Sequence, residues 1–343
     1  MDNLPSAGRD QGVQNNKASI DIVIVNWNAG HQLSDCLASL VKSRAKIARV
    51  IVIDNASTDG SAENLDRFDL PLSIARNNEN AGFARACNQG ASMGDAPYLL
   101  FLNPDTRVFQ DSIERPLAFL ESGAGQRAGV CGIQLLDESG RISRTCARFP
   151  SLMRFAAQAL GLNKLPGLRS TGVHMAGWDH GETRTVDHVI GAFYLVRRSL
   201  FRDSAGFDER FFVYLEDVDF SYRARGAGFE SVYLAGAQAF HAGGGSSRQI
   251  LARRLFYSLR SRLLYALKHF SRWKAVLTLI VTVIMEPVAR VLFSLGRGNV
   301  ADVRNTVRAY SLLFSDLPKI LRTDRMRRFK RSSDDAKCTG GEP

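Results

Sequence analysis

Cysteine is scarce in this sequence. The 343 residues include five cysteines, at Cys36, Cys87, Cys131, Cys146 and Cys338. Their number is odd, they lie far apart and no C-x-x-C pair occurs, so neither a disulfide framework nor a zinc motif is indicated. Reduced thiols in a cytosolic protein are the interpretation that fits best.

An apolar leader segment is also missing. Residues 1–19 are polar and mixed in charge, which is not the composition of a signal peptide. We predict that they form a disordered tail, and that the domain after them stays in the cytoplasm.

A clean membrane-spanning run is the third absence. The uncharged stretch 275–285 is 11 residues long and is followed by Glu286 and Pro287, whereas a spanning helix needs about 20 apolar residues. We therefore predict two in-plane or re-entrant helices here rather than one crossing helix. An ordinary buried helical subdomain is the alternative.

A net excess of positive charge is absent from most of the chain and is concentrated at its end. Residues 1–247 carry 25 Lys and Arg against 27 Asp and Glu, a net charge of −2, and residues 248–343 carry 20 against 7, a net charge of +13. A nucleic-acid enzyme would place its basic residues around the cleft, so nucleic acid is not an expected partner. A basic region with interleaved apolar helices is typical of contact with anionic lipid headgroups.

Short apolar runs alternate with helical patterns in the first half. Residues 20–25, 49–53 and 98–102 each fit a buried strand, and leucine and cysteine recur between the first two at the spacing of an amphipathic helix. This order predicts an α/β domain with a mostly parallel sheet. Ligands of such sheets bind at the carboxyl ends of the strands, which directs attention to residues 26–28, 54–55 and 103–105.

Two of these strand ends carry a carboxylate. Asp54 could accept the imide N–H of uracil or thymine, although it could equally cap a helix or turn. Asp105 follows Asn103 and Pro104 and could hold Mg²⁺ or Mn²⁺ against a diphosphate, the alternative being a simple strand-ending turn. Between them, Gly82 and Phe83 open a helix whose N-terminal amides could face a phosphate, or which simply packs Phe83 into the core.

The second half contains an acidic cluster and an isolated histidine. Glu216, Asp217 and Asp219 fall within four positions, where like charges cost stability unless a cation, a partner such as Arg223 or a general-base role uses them. His241 ends a strand-like segment before three glycines, which makes it a better ligand candidate than most histidines.

Together these segments strongly resemble the family 2 glycosyltransferases of the GT-A fold, and within them the bacterial rhamnosyltransferase-like enzymes that build cell-surface polysaccharides. The resemblance covers residues 20–247. Its motifs occur in the family's order: VNWN, DNASTDGS, NAGFARACN, LNPDT, GAFYLVRR, GFDERFFVYLEDVDFSYR and HAGGGSS. A dinucleotide-binding dehydrogenase is excluded because the first strand is followed by N-W-N-A-G-H and not by G-x-G-x-x-G.

The resemblance implies a role for each motif. Asp217 matches the catalytic base, and Asp105 matches the last acid of a D-x-D metal motif whose first position is Asn103 here. His241 matches a histidine that completes the metal site. The implied nucleotide-binding residues are Asn26, Asn28, Asp54, Asn80, Gly82, Phe83 and Asn103. Those implied on the acceptor side are Gly191 and Ala192, and the implied supports of the base are Glu216, Asp219 and Arg223.

The implied activity is inverting, metal-dependent transfer of a sugar from a nucleotide diphosphate to a saccharide acceptor. The favoured donor is dTDP-rhamnose, with UDP-sugars open, and the favoured acceptor is linked to a polyprenyl lipid. We expect a GT-A domain at 20–247, a basic membrane-associating helical region at 248–331 on the inner face of the cell membrane, and a disordered tail at 332–343. A non-catalytic nucleotide-sugar or glycan-binding relative is the alternative function.

Overall fold

The computed structural model describes residues 18–165, 167–243 and 251–338. Most of the predicted N-terminal tail, residues 1–17, lies outside the described residues, as does the end of the histidine–glycine motif. The strands are β1 Ser19–Asn26, β2 Lys46–Asp54, β3 Leu72–Arg76, β4 Tyr98–Leu102, β5 Thr106–Val108, β6 Ala128–Leu136, β7 Cys146–Ala147, β8 Arg184–Val186, β9 His188–Val189, β10 Phe193–Arg197 and β11 Glu230–His241. The helices are α1 His31–Val41, α2 Phe83–Ser92, α3 Glu114–Glu121, α4 Leu152–Ala159, α5 Arg198–Asp203, α6 Glu216–Gly226, α7 Leu251–His269, α8 Arg272–Ile280, α9 Glu286–Leu295 and α10 Val300–Cys338.

The elements predicted from apolar periodicity are present. β1, β2 and β4 coincide with the three predicted strands, and their branched or aromatic side chains are almost fully buried. The residues that share one face of α1 are all buried against the sheet: Leu33, Cys36, Leu37 and Leu40. Burial of this stripe is what fixes the helix on the sheet.

Within the described residues, the main sheet has nine strands. Eight follow the order β3-β2-β1-β4-β10-β6-β11-β5, and β8 pairs with β11. Six strands run in one direction, while β10, β5 and β8 are antiparallel to their neighbours. The predicted α/β fold with a mostly parallel sheet is confirmed. The antiparallel β10 in the middle joins a β3-β2-β1-β4 half to a β6-β11-β5 half.

Strand register brings the predicted site segments to one edge. Asn26, the last residue of β1, pairs with Asp54, the last residue of β2. On the other half, His241 at the end of β11 pairs with Thr106 in β5. Asn26 and Asp54 are neighbours because parallel strands end at the same edge, whereas His241 meets Thr106 because β5 runs antiparallel to β11 and begins where β11 ends.

The C-terminal helices pack directly on the α/β domain. A hydrophobic cluster joins Phe155 of α4, Phe211 just before α6 and Val218 in α6 to Leu263 of α7 and Leu313 of α10. These side chains are at most a few per cent exposed. The region after residue 247 thus shares a core with the segment that carries the acidic cluster.

The prediction of two separate helices, divided at Glu286 and Pro287, is wrong. Instead, α8 continues through a π-helical turn, Val281–Met285, into α9, and Pro287 lies in the first turn of α9. π-Helical turns are rare, and most of them occur as single turns inside a continuing α-helix. Glu286 is fully buried, and its ion pairs with Arg262 and Arg290 offset the cost of burying its charge.

The resulting helix, Arg272–Leu295, spans 24 residues with a mean hydropathy of 2.0 in its most apolar stretch. Among the described residues, it is the one helix that is both long enough and apolar enough to cross a membrane. By itself this is a weak indication of a membrane role. A buried subdomain would hide its apolar side chains, yet only 17% of that stretch is buried.

The predicted C-terminal tail differs from the structure. We predicted a tail from residue 332, whereas α10 continues to Cys338. Extending an existing helix costs little per residue, so the polar residues after 331 propagate it. Residues 339–343 lie outside the described part of the chain.

Candidate active site

Asn26 and Asp54 form the floor of a polar cradle at the ends of β1 and β2. The Asn26 side-chain amide donates to Asp54 Oδ1 at 3.0 Å, to Ser57 Oγ at 3.0 Å and to Ser61 Oγ at 2.9 Å. Asn26 is fully buried, and its amide oxygen has no hydrogen-bond partner among the described residues. The cradle therefore fixes the Asp54 carboxylate at the strand end.

Asn28 closes one side of this cradle. Its backbone is left-handed, with φ of 51°, a conformation that asparagine tolerates better than most residues. Its N–H donates to Ser57 Oγ at 3.0 Å, and its side-chain oxygen accepts from the Thr58 N–H at 2.8 Å. Asn26, Asn28 and Asp54, predicted as nucleotide ligands, are thus brought together by the D-N-A-S-T-D-G-S loop.

Asn55 holds the other side and was missed as a site residue. Its side-chain amide donates to Asn80 Oδ1 at 3.0 Å, and its side-chain oxygen accepts from Asn77 Nδ2 and the Ala81 N–H, each at 3.0 Å. It is buried and links β2 to the loop before α2. Its position directly after Asp54 was the available signal.

The start of α2 is tied to the chain just before α6. The Gly82 N–H donates to Asn80 Oδ1, and the Phe83 N–H donates to the Phe212 carbonyl oxygen at 2.6 Å. Both amides are therefore engaged within the protein, and this arrangement does not offer them to a phosphate. Gly82 has φ of 88°, and a Cβ there would lie 2.6 Å from Phe212 O.

Asp105 and His241 meet at the second half of the sheet edge. Their side chains approach to 3.3 Å between Asp105 Oδ1 and His241 Nε2, although 136 positions separate them. Asp105 Oδ1 is buried without a hydrogen-bond partner in the described chain. The described residues include no cluster of three or more potential metal ligands, so a cation here would need further oxygen ligands from diphosphate or water.

Asp217 lies in the first turn of α6, where the helix dipole favours a carboxylate. Its Oδ1 accepts from the Val218 N–H at 2.8 Å, and its Oδ2 accepts from the Gly191 N–H at 3.0 Å. Burial raises the pKa of Asp217, but the neighbouring His188 and these hydrogen bonds hold it below its ordinary value. The carboxylate is thus kept ionised while remaining partly exposed.

Gly191 and Ala192 connect this carboxylate to the metal candidate. Gly191 binds Asp217 as described, and the Ala192 carbonyl oxygen accepts from the Asn103 N–H at 3.0 Å. A Cβ on Gly191 would come within 2.9 Å of Asp217 Oδ2, so glycine is required for this contact. The two predicted acceptor-side residues therefore lie between the base candidate and the turn formed by residues 103–105.

The pKa of the Glu216 carboxyl group is shifted in the direction opposite to that of the adjacent Asp217. It is buried, and its Oε2 has no hydrogen-bond partner among the described residues. Burial and then the charge of Asp217 raise its pKa well above the ordinary value, so Glu216 is held neutral. Two adjacent carboxyl groups are thereby driven to opposite protonation states.

Arg223, which the resemblance implied as a support of Asp217, pairs with Asp219 instead. Its Nε donates to Asp219 Oδ2 at 2.9 Å, one helical turn away, and its other nitrogens bind the carbonyls of Ser204 and Gly206. An i, i+4 Asp–Arg pair on one helix face is the expected partner, and the spacing in the sequence already favoured it.

Asp219 is the anchor between α6 and α7. Lys268 Nζ lies 2.5 Å and His269 Nε2 lies 2.7 Å from Asp219 Oδ1. Burial raises the pKa of Asp219, but the His269 hydrogen bond and the charges of Lys268 and Arg223 lower it overall. No sequence pattern indicated this contact, because both cations lie in the region expected to serve the membrane.

The fold and site define a GT-A type nucleotide-diphospho-sugar transferase domain. Residues 21–168 match the description Glycosyl transferase family 2. The chain is 30% identical over 271 residues to the N-acetylglucosaminyl-diphospho-decaprenol L-rhamnosyltransferase of Mycobacterium tuberculosis (strain ATCC 25618 / H37Rv), covering 75% of this chain and 87% of the relative. It is also 30% identical over 173 residues to rhamnosyltransferase WbbL of Escherichia coli (strain K12), covering 50% and 62%. The chain belongs to family 2 of the glycosyltransferases.

Solved structures support the same fold. A mannosyltransferase, PcManGT from Pyrobaculum calidifontis in complex with GDP-Man and Mn²⁺, superposes with a TM-score of 0.53 at 15% identity over 88% of each chain. GalNAc-T7 with UDP, GalNAc and Mn²⁺ gives 0.51 at 17% identity, over 74% of this chain and 51% of that one. At these identities the likeness concerns the fold alone.

Proposed function

We propose that this protein is an inverting glycosyltransferase that moves rhamnose from dTDP-rhamnose to a saccharide acceptor on a polyprenyl lipid, in the synthesis of a cell-surface polysaccharide. The observation that carries the activity is the link through Gly191 and Ala192, which places an ionised Asp217 beside the 103–105 turn. The names of the two rhamnosyltransferase relatives support the donor, and the decaprenol-linked substrate in one name supports the acceptor.

In this mechanism Asp217 is the general base. It takes the proton of the acceptor hydroxyl while the acceptor oxygen bonds to the anomeric carbon and the bond from that carbon to the diphosphate oxygen breaks. A single in-line displacement of this kind inverts the anomeric centre. Asn26, Asn28 and Asp54 would hold the base and ribose, with the second oxygen of Asp54 accepting the imide N–H of the pyrimidine.

Asp105 and His241 are the residues that would hold a divalent cation. Asp105 Oδ1 fits this role because it is buried and accepts no hydrogen bond among the described residues, although it contacts His241 Nε2 at 3.3 Å, and a cation would offset the cost of burying it. Asn103, in the first position of the motif, adds no second charge. When bound, Mg²⁺ or Mn²⁺ would neutralise negative charge on the diphosphate leaving group.

We further propose that residues 248–331 attach the enzyme to the inner face of the cell membrane. Ile284, Val288 and Leu292, four residues apart, share one face of the α8–α9 helix and are 57–65% exposed. Glu286 and its ion pairs lie on the inner face. An exposed apolar stripe beside a segment with net charge +13 suits insertion into an anionic leaflet.

A nucleotide-sugar hydrolysis screen tests the activity. Purified protein is incubated with dTDP-rhamnose, UDP-glucose, UDP-N-acetylglucosamine and GDP-mannose, with Mn²⁺ or with EDTA, and the release of nucleoside diphosphate is measured. The proposal expects release from dTDP-rhamnose in Mn²⁺ and little release in EDTA or from GDP-mannose. Release that is equal with and without metal, or confined to GDP-mannose, would overturn the donor and metal assignments.

A further inference from the structure

His188 is a buried residue that directly contacts the base candidate. It lies in the two-residue strand β9 and is 4% exposed. Its Nε2 lies 3.4 Å from Asp217 Oδ2, and its Nδ1 lies 3.2 Å from Ser221 Oγ. Since both ring nitrogens face protein groups and the ring is buried, His188 cannot itself receive a proton from an acceptor.

One set of hydrogen-bond directions around His188 follows from the contact between Tyr194 and the Asp217 backbone. The Tyr194 hydroxyl donates to the Asp217 carbonyl oxygen at 3.3 Å, which uses its one hydrogen. In that set Tyr194 accepts from the Ser221 hydroxyl, 2.8 Å away, a pair in which either oxygen can be the donor. Ser221 has then used its own hydrogen, so it accepts from His188 Nδ1–H.

This direction determines what faces Asp217. With Nδ1 protonated, a neutral imidazole would turn the lone pair of Nε2 toward the carboxylate, which is repulsive. A proton on Nε2 would remove this repulsion across the 3.4 Å separation from Asp217 Oδ2, and a ring protonated on both nitrogens carries a positive charge. His188 is then a cation buried against an anion, a charge pair that burial alone would not favour.

We infer that His188 is the positioning residue of the base, a buried counter-ion that keeps Asp217 ionised and oriented for the acceptor hydroxyl. This inference rests on the proposed function, in which Asp217 is the base. Without His188, the partly exposed Asp217 would keep the hydrogen bonds from Gly191 and Val218 but would lose its contact with the imidazole ring. Its carboxylate would then be protonated at higher pH and unable to act as a base.

Other titratable groups around Asp217 are already engaged. Lys268, His269 and Arg223 are directed to Asp219. Burial raises the pKa of the Cys87 thiol well above its ordinary value, so it stays neutral. Burial likewise raises the pKa of the Tyr194 hydroxyl, which is neutral for the same reason. Among the described residues, His188 is thus the cationic group in direct contact with the Asp217 carboxylate.

The test is the pH dependence of kcat for transfer in His188→Gln. Glutamine keeps an N–H donor but carries no charge, so the acid limb should move to higher pH by about 1–3 units. Donor KM should stay within about twofold, since the new glutamine side chain would not touch the cradle of Asn26 and Asp54. His180→Gln, a loss of another buried histidine that contacts Trp178 and Cys146, is the matched control and should leave the acid limb in place.

Ser221→Ala keeps the test decisive if His188→Gln does not fold. It removes the acceptor of Nδ1–H and should shift the acid limb in the same direction by a smaller amount. A uniform loss of kcat at every pH in the variants that fold would overturn the inference, because that is the signature of a merely structural role. Asp217→Asn distinguishes failure of the proposed function from failure of the His188 inference. Full turnover in Asp217→Asn refutes the proposed base. An inactive Asp217→Asn, together with an unshifted acid limb in the His188 and Ser221 variants, refutes the inference alone.

Discussion

The Phe212 carbonyl oxygen accepts a hydrogen bond from the Phe83 N–H at 2.6 Å, which ties helix α2 to the segment that leads into α6. The same segment contains Tyr214 and Leu215, both left-handed at φ of 69° and 67°. Such strain in bulky residues costs about 1–2 kcal/mol per residue and needs support from its surroundings. Support comes from α7, where Ser261 Oγ donates to the Val213 carbonyl at 2.8 Å and Tyr257 stacks on Phe212.

Gly82→Ala should damage this tie. The new Cβ would lie 2.6 Å from Phe212 O in a backbone with φ of 88°, so strain of about 1–2 kcal/mol is joined by a clash of similar size. We expect a lower Tm and weaker nucleotide binding, measured by thermal unfolding and calorimetric titration with dTDP. Gly140→Ala is the control, because Gly140 has φ of 75° but nothing within 4 Å of the new Cβ. Equal losses in both variants would mean that the Phe212 contact is unimportant.

Glu216→Gln should become relatively more stable as pH rises. Because the folded-state pKa of Glu216 is raised, its stabilising contribution is complete below the unfolded pKa of about 4.3 and is lost as pH rises toward the folded value. Glutamine resembles the neutral acid and does not titrate. The difference in unfolding free energy between variant and wild type should therefore grow by on the order of 1–3 kcal/mol between pH 5 and pH 8.

Denaturant unfolding at the two pH values measures this difference. The exposed Glu138→Gln change controls for the loss of one carboxylate from the chain. A Glu216→Gln variant that is less stable than wild type by the same amount at both pH values would show that Glu216 is ionised in the folded protein.

Asp105→Ala and His241→Ala should each weaken Mn²⁺-dependent binding of dTDP by about tenfold or more. The double variant should be little worse than either single one, because ligands of one ion act as a unit. Titrations with and without Mn²⁺ measure the effect, and Asp111→Ala, which removes a surface partner of Arg115, is the control. Metal-dependent affinity that is unchanged in both single variants would mean that the site lies elsewhere.

Membrane attachment should depend on the exposed stripe of the α8–α9 helix. Replacing Ile284, Val288 and Leu292 with serine removes about 1.5–3 kcal/mol of apolar insertion per side chain, so salt-resistant binding to anionic liposomes should be lost. Flotation at low and high salt measures this binding. The matched control replaces three exposed apolar residues of the α/β domain, Ile142, Met153 and Leu162. Wild-type protein that stays soluble, folded and unbound at low salt would contradict the membrane role.

The pairing of distant strand ends could be predicted from sequence, whereas side-chain partners across short elements could not. The parallel-sheet rule directed attention to the strand end at Asp105, and the family resemblance paired that residue with His241. His188 lies in a two-residue strand, which is too short to carry a periodic signal. The Lys268 contact with Asp219 depends on how α7 packs against α6, and amphipathic spacing says which face is buried but not against which helix.

In the proposed mechanism, an ionised Asp217 is the base for a displacement that inverts the anomeric centre of a rhamnosyl donor. The most direct measurement incubates wild-type and Asp217→Asn protein with dTDP-rhamnose, Mn²⁺ and an N-acetylglucosaminyl-diphospho-polyprenol, and determines the rate and the anomeric configuration of the product by NMR. We expect a wild-type product of configuration opposite to that of the donor. We also expect Asp217→Asn to bind dTDP normally yet to transfer more slowly by a factor on the order of 10²–10⁴. A product with retained configuration, or near-normal transfer by Asp217→Asn, would contradict this mechanism.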